Sequence, residues 1–123
     1  DVSRVESNAA SIITRLTYGE TCFIFSGDAA QKIELYVAEI EKNNLKCQVL
    51  KTGHHGSRTS TGASWVGFIS PEYAVISVGK NNSYGHPHKE VLGILNKFGV
   101  KIFRTDLQGR IEIDSDGNLL YTN

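Results

Sequence analysis

The run Tyr73-Ala74-Val75-Ile76-Ser77-Val78 is nearly all apolar and β-branched. It constrains the fold more than any other stretch. A strand with no consistently polar face is buried on both sides, as the inner strands of a helix-covered sheet are. Neighbouring segments supply such a sheet. Ser11 to Tyr18 and Thr21 to Phe25 are β-rich runs separated by Gly19-Glu20, the pattern of an antiparallel hairpin. From Ala29 to Asn43 the period changes. Ile33, Tyr36, Val37 and Ile40 recur at helical spacing, which predicts an amphipathic helix with those residues facing the core.

Cys47 to Lys51 reads as the next strand, and Ser64 to Ile69 as a short helix stopped at Ser70-Pro71. A second helix starts at Pro87 or His88, holds Val91, Leu92, Ile94, Leu95 and Phe98, and closes at Gly99. Val100 to Phe103 is a strand. Arg110 to Asp114 and Asn118 to Tyr121 form a last hairpin around Asp116-Gly117. Strands alternating with helices predict an α/β fold: a mixed sheet, helices on one face, and a C-terminal hairpin. The opposite face is also apolar and calls for a cover beyond these helices.

At 123 residues the chain is one domain or a piece of one. Its 13 basic and 13 acidic side chains cancel, so no global field points to nucleic acid or excludes it. No apolar run approaches the roughly 20 residues of a membrane span. Methionine is absent, even at position 1, which suggests an excised fragment. Cys22 and Cys47 each lie in an apolar strand and read as buried free thiols. A disulfide would require the two strands to be neighbours. Neither belongs to a C-x-x-C pair, which argues against a zinc site.

The chemistry gathers in three polar turns, each following a strand: Gly27-Asp28, Gly53-His54-His55-Gly56-Ser57, and Tyr84-Gly85-His86-Pro87-His88. Loops beyond strand ends are where open α/β sheets bind ligands. All four histidines of the chain lie in these turns. Asp28 has two readings, a metal-binding carboxylate or a cap for the helix that follows. Adjacent side chains on an extended segment diverge, so His54 and His55 should not both face one metal unless the turn reorients them. Ser57, Arg58, Thr59 and Ser60 offer hydroxyls, amides and a guanidinium suited to an anionic oxygen. Tyr84, His86 and His88 can contact a substrate at the same edge, or serve as a loop residue and a helix cap. Asp106 reads as a turn residue that could orient a histidine.

The series Asn8-x-x-Ser11-Ile12-Ile13, Phe25-Ser26-Gly27-Asp28-Ala29, Gly53-His54-His55-Gly56-Ser57, Ala74 to Gly79, Tyr84 to His88 and Arg104-Thr105-Asp106 resembles the C-terminal half of a metallo-β-lactamase-fold hydrolase. Its nearest likeness is to the branch at the C-terminus of the ComEC late-competence DNA-internalisation family. The resemblance implies half of a four-layer αββα sandwich spanning residues 1–123. It implies a complete site of two divalent metal ions, zinc or manganese, that generate hydroxide and stabilise an in-line displacement at a phosphodiester. Asp28 matches the family's bridging aspartate, and His54 its last metal-binding histidine in preference to His55. Both would be catalytic. His55, Ser57, Arg58, Tyr84, His86 and His88 would lie beside the substrate or support the ligands.

The family's H-x-H-x-D-H motif, which supplies most of the ligands, is absent here. The expectation is a fragment that is inactive alone, needs the N-terminal half as partner, and can self-associate through an uncovered sheet. The parent would be a phosphodiesterase or nuclease of DNA uptake, the fragment a soluble domain of a bacterial membrane protein. The alternatives are a phosphoesterase releasing choline phosphate from a cell-wall polymer, and a non-catalytic α/β interaction module.

Overall fold

The computed structural model describes residues 10–123; Asn8, the first residue of the family-like series, lies outside them. Five strands form one sheet in chain order: β1 (Thr14–Tyr18), β2 (Thr21–Phe25), β3 (Val49–Lys51), β4 (Tyr73–Ile76) and β5 (Lys101–Arg104). β1 is antiparallel to β2; the remaining pairs are parallel. The crossovers are carried by α1 (Gln31–Glu41), α2 (Ala63–Ile69) and α3 (Lys89–Lys97). A short helix, α4 (Thr105–Gln108), follows β5, and a separate hairpin pairs β6 (Ile113–Ser115) with β7 (Leu120–Thr122). The mixed α/β architecture agrees with the alternation of periods in the sequence.

Ile24, Leu50, Ala74 and Ile102 lie in one row across β2 to β5. They meet Ala38 of α1, Trp65, Val66 and Ile69 of α2, and Val91 and Leu95 of α3 in a single core. Each fully buried large side chain here contributes about 1.5–3 kcal/mol. Helix α1 departs from its sequence pattern. Tyr36 and Ile40 are exposed, and the residues it buries are Glu34 and Ala38. The helix is turned so that Glu34 and Ala38 face inward, with Val37 packed partly against the core and Tyr36 and Ile40 left outside. It is also shorter than expected, passing at Lys42 into a 3-10 turn.

The cysteines correct the free-thiol reading. β2 and β3 are neighbours, and Cys22 and Cys47 form a disulfide with Cα atoms 5.0 Å apart. On the other sheet face, Leu16, Tyr18 and Phe25 remain partly exposed. The chain supplies part of a cover there: Ile111 and Ile113 close an apolar hollow over Phe23, Phe25, Val49 and Val75. The C-terminal hairpin is fastened at the β1–β2 turn. The Glu20 N–H donates to Gly117 O at 2.6 Å, and the Thr21 and Ser115 hydroxyls lie 2.6 Å apart. A Cβ at Gly19 would lie 2.3 Å from Gly117 O, so this turn admits only glycine.

Candidate active site at the carboxyl edge of the parallel strands

The three polar turns emerge from the carboxyl ends of β2, β3 and the β4 segment, and backbone hydrogen bonds knit them together. The His54 N–H donates to Gly27 O at 2.9 Å, and the His88 N–H to Gly56 O at 2.9 Å. Gly56 makes the second junction possible. Its φ is +82°, and a Cβ there would sit 2.6 Å from Cβ of Pro87.

The His-His turn is not extended. His54 and His55 have φ of 49° and 56° inside a 3-10 turn, so the chain is reoriented at the point where divergent side chains were expected. Their ring centroids lie 6.4 Å apart, and the His54 ring is 5.9 Å from that of His86. His86 in turn packs edge-on to His88 at 4.7 Å and stacks on the exposed Tyr84 at 5.5 Å. His54, His55, His86 and His88 therefore form one imidazole cluster. Burial holds the His86 imidazole below its ordinary value, and charge on His88, His54 and His55 acts in the same direction.

Hydrogen bonds distinguish the four rings. His55 Nδ1 faces Ser77 O at 2.7 Å. A carbonyl only accepts, so Nδ1 carries the proton and the Nε2 lone pair is left for a ligand, the arrangement typical of an oriented metal-binding histidine. His54 Nδ1 meets the Thr59 hydroxyl at 3.3 Å, and Thr59 meets Ser57 Oγ at 2.9 Å. In His88, Nδ1 accepts the Arg58 N–H at 2.9 Å and Nε2 faces Tyr84 O at 3.2 Å. Both of its nitrogens are engaged by backbone, and its residue is the N-cap of α3.

Asp28 does not cap α1: the N-cap is Ala30, which makes no side-chain cap bond. Among the described residues the Asp28 carboxylate has no hydrogen-bond partner, while its N–H donates to Ser11 Oγ at 3.3 Å. Lys51, at the end of β3, is pushed below the usual lysine range by burial, and the charge of Asp28 opposes that shift. Sequence reading passed over Lys51, although a lysine ending an apolar strand beside a polar turn was its visible signal.

Ser57 is buried. Arg58 is exposed and faces Glu90 at 3.6 Å, a surface pair of little energetic weight. Asp106 is a bidentate partner of Arg104, at 3.0 and 2.7 Å, and not of any histidine. The Arg104 hydrogen bond holds its carboxyl below the ordinary range.

The donors of this edge are chemically suited to a divalent ion, but they do not complete a site. Among the described residues no three His, Cys, Asp or Glu side chains are grouped to hold a metal ion.

No family model matches the chain. It is similar to segments of three proteins. It is 39% identical over 105 residues to ComE operon protein 3 of Bacillus subtilis, covering 85% of this chain and 13% of that protein. It is 37% identical over 108 residues to Competence protein ComA of Neisseria gonorrhoeae, covering 88% and 16%. It is 30% identical over 107 residues to Recombination protein 2 of Haemophilus influenzae, covering 87% and 13%. Its relatives are thus competence-related proteins, and the chain spans a small part of their length. Among the described residues no helix is long and apolar enough to cross a membrane.

Proposed function

We propose that this chain is the C-terminal half of a metallo-β-lactamase-type αββα domain, working in DNA uptake as part of a metal-dependent phosphodiesterase or nuclease. The observation that carries the reading is the gathering of His54, His55 and His86 at one sheet edge, hydrogen-bonded to the turn that holds Asp28 and with His55 oriented by a backbone carbonyl. The competence-related names of the relatives support the biological setting. The partly covered apolar face supports a second half of the domain, which would supply the missing H-x-H-x-D-H ligands and make the whole a soluble domain of a membrane protein.

In this reading Asp28 and His54 hold metal, and the free Nε2 of His55 and the ring of His86 lie at the substrate side or join the ligands. When bound, two divalent ions would supply an acidified water and neutralise charge at the phosphoryl centre. Lys51 and Arg58 contribute positive charge, and Ser57, Thr59 and the adjoining amides can bind a phosphate oxygen. Tyr84 can stack on a base. His88, with both nitrogens bound to backbone, holds the Tyr84–His88 turn against the His-His turn. Self-association through the open sheet face is the expectation for the isolated chain.

The test is a longer protein that includes the upstream half, loaded with zinc or manganese and assayed on single-stranded DNA against small phosphodiesters. Cleavage of DNA that Asp28→Ala and His54→Ala both abolish supports the reading. Cleavage of phosphorylcholine esters alone would favour the cell-wall phosphoesterase. No hydrolysis with any metal would leave the interaction module.

A further inference from the structure

The most heavily buried ionisable side chain near the site belongs to Glu34, 1% exposed on the inward face of α1. Its carboxylate accepts two consecutive backbone N–H groups, Thr61 at 2.6 Å and Gly62 at 2.9 Å. These residues end the loop that leaves the His-His turn. The same loop is tied to the start of α1 three more times. Gln31 Nε2 donates to Arg58 O at 2.9 Å, the Gln31 N–H to Thr59 O at 2.9 Å, and Ser60 Oγ to Ala29 O at 2.6 Å. At its other end the loop carries Thr59, whose hydroxyl meets His54 Nδ1.

The loop does not hold this shape by itself. Thr61 is β-branched yet has φ of +60°, a conformation that costs on the order of 1–3 kcal/mol. Its hydroxyl is buried without a hydrogen-bond partner among the described residues. Strain of this kind persists only where surrounding contacts fix it, and the two charge-assisted bonds to Glu34 are the strongest contacts Thr61 and Gly62 make. We infer that Glu34 is a positioning residue of the candidate active site: it clamps the Ser57–Gly62 loop so that Thr59 fixes the ring of His54. This rests on reading the His54 edge as the working site.

The carboxyl can report on its own clamp. Burial raises its pKa to about 7, and the N–H groups of Gly62 and Thr61 pull it down without cancelling the rise. No ionised side chain faces it among the described residues. The hollow it helps to line is otherwise bounded by Gln31, Leu35, Gly62, Ala63, Ser64 and Trp65, none of them ionisable. The closed loop is what raises this pKa, so an opening that returns the carboxyl to water becomes easier as pH rises through about 7.

The experiment is an NMR pH titration of the chain, following the Thr61 and Gly62 amides and the ring signals of His54 and His55, for the wild type and Glu34→Gln. The amides should lie downfield and titrate with one midpoint near 7. The contact of the His54 ring with Thr59, read as an NOE, should weaken in Glu34→Gln. The contact of the His55 ring with Ser77, which lies off the loop, should persist. Exchange of the loop amides should accelerate on the order of tenfold or more in the variant.

If Glu34→Gln does not fold, the wild type alone decides: the His54–Thr59 NOE should change in step with the loop amides, with the His55–Ser77 NOE as the reference. Amides that titrate while the His54–Thr59 contact stays unchanged would reduce Glu34 to a cap of α2 and overturn the inference. So would amides with no step near neutral pH. None of these readouts uses catalysis, so failure here and failure of the hydrolase reading are told apart.

Discussion

The two ends of the parallel sheet are built on opposite principles. At the amino end the chain is stapled. The Cys22–Cys47 disulfide joins β2 to the approach of β3, and the C-terminal hairpin is hydrogen-bonded to Glu20 and Thr21. At the carboxyl end no covalent link exists among the described residues, and positive φ values gather at His54, His55, Thr61 and Asn81. That end holds its shape through hydrogen bonds between turns, and it carries every histidine. One end anchors the sheet while the other spends backbone strain on presenting imidazoles and a carboxylate, which is how rigid scaffolds deliver reactive loops.

The contrast can be broken by removing the staple. Replacing Cys22 and Cys47 together with serine should cost roughly 3 kcal/mol, from a closed loop of 25 residues. Denaturant melts would measure this. The histidine ring signals should stay where they are; if they shift as much as the melt does, the two ends are not separate.

Glu34 gives an effect of similar size with a defined sign. Its folded pKa is about 7 against an ordinary 4.5, so the folded state holds the proton longer than the unfolded chain. Its contribution is full below pH 4.5 and is lost as pH rises to about 7, a change on the order of 3 kcal/mol. The stability-pH curve of the wild type minus that of Glu34→Gln should show this fall; a flat difference would contradict the burial argument.

A smaller effect, about 1–3 kcal/mol, is expected for Gly56→Ala, where a methyl would meet Pro87 at 2.6 Å in a left-handed backbone. Unlike the cysteine changes, it should move the His86 and His88 ring signals. Asp106→Asn should cost least, about 1 kcal/mol at neutral pH. Because Arg104 depresses the Asp106 carboxyl, that cost is present above the ordinary carboxylate range and disappears as pH falls through the lowered folded value. A cost that persists in acid would assign it to something other than the ion pair.

The sequence is unevenly legible across these regions. Strands and helices could be read because the period changes from two to near four between Phe25 and Ile33, and because Val91 and Leu95 repeat at one helical turn. The polar turns could be read because glycines bracket the histidines. The disulfide could not, since β2 and β3 become neighbours only when the sheet order is known. Glu34 was illegible for a similar reason. A glutamate one position from Ile33 reads as solvent-facing, and only the position of the Thr61–Gly62 amides turns α1 to bury it. The cap reading of Asp28 failed because α1 starts three residues later, at Gln31, with Ala30 as its cap.

The central claim is that the carboxyl edge is half of a hydrolytic metal site. It is tested most directly by single-stranded DNA cleavage in the longer, metal-loaded protein, comparing the wild type with Asp28→Ala. The account predicts metal-dependent cleavage in the wild type and none above background in the variant, with the fold and the disulfide intact. Cleavage retained by Asp28→Ala at the wild-type rate would contradict it.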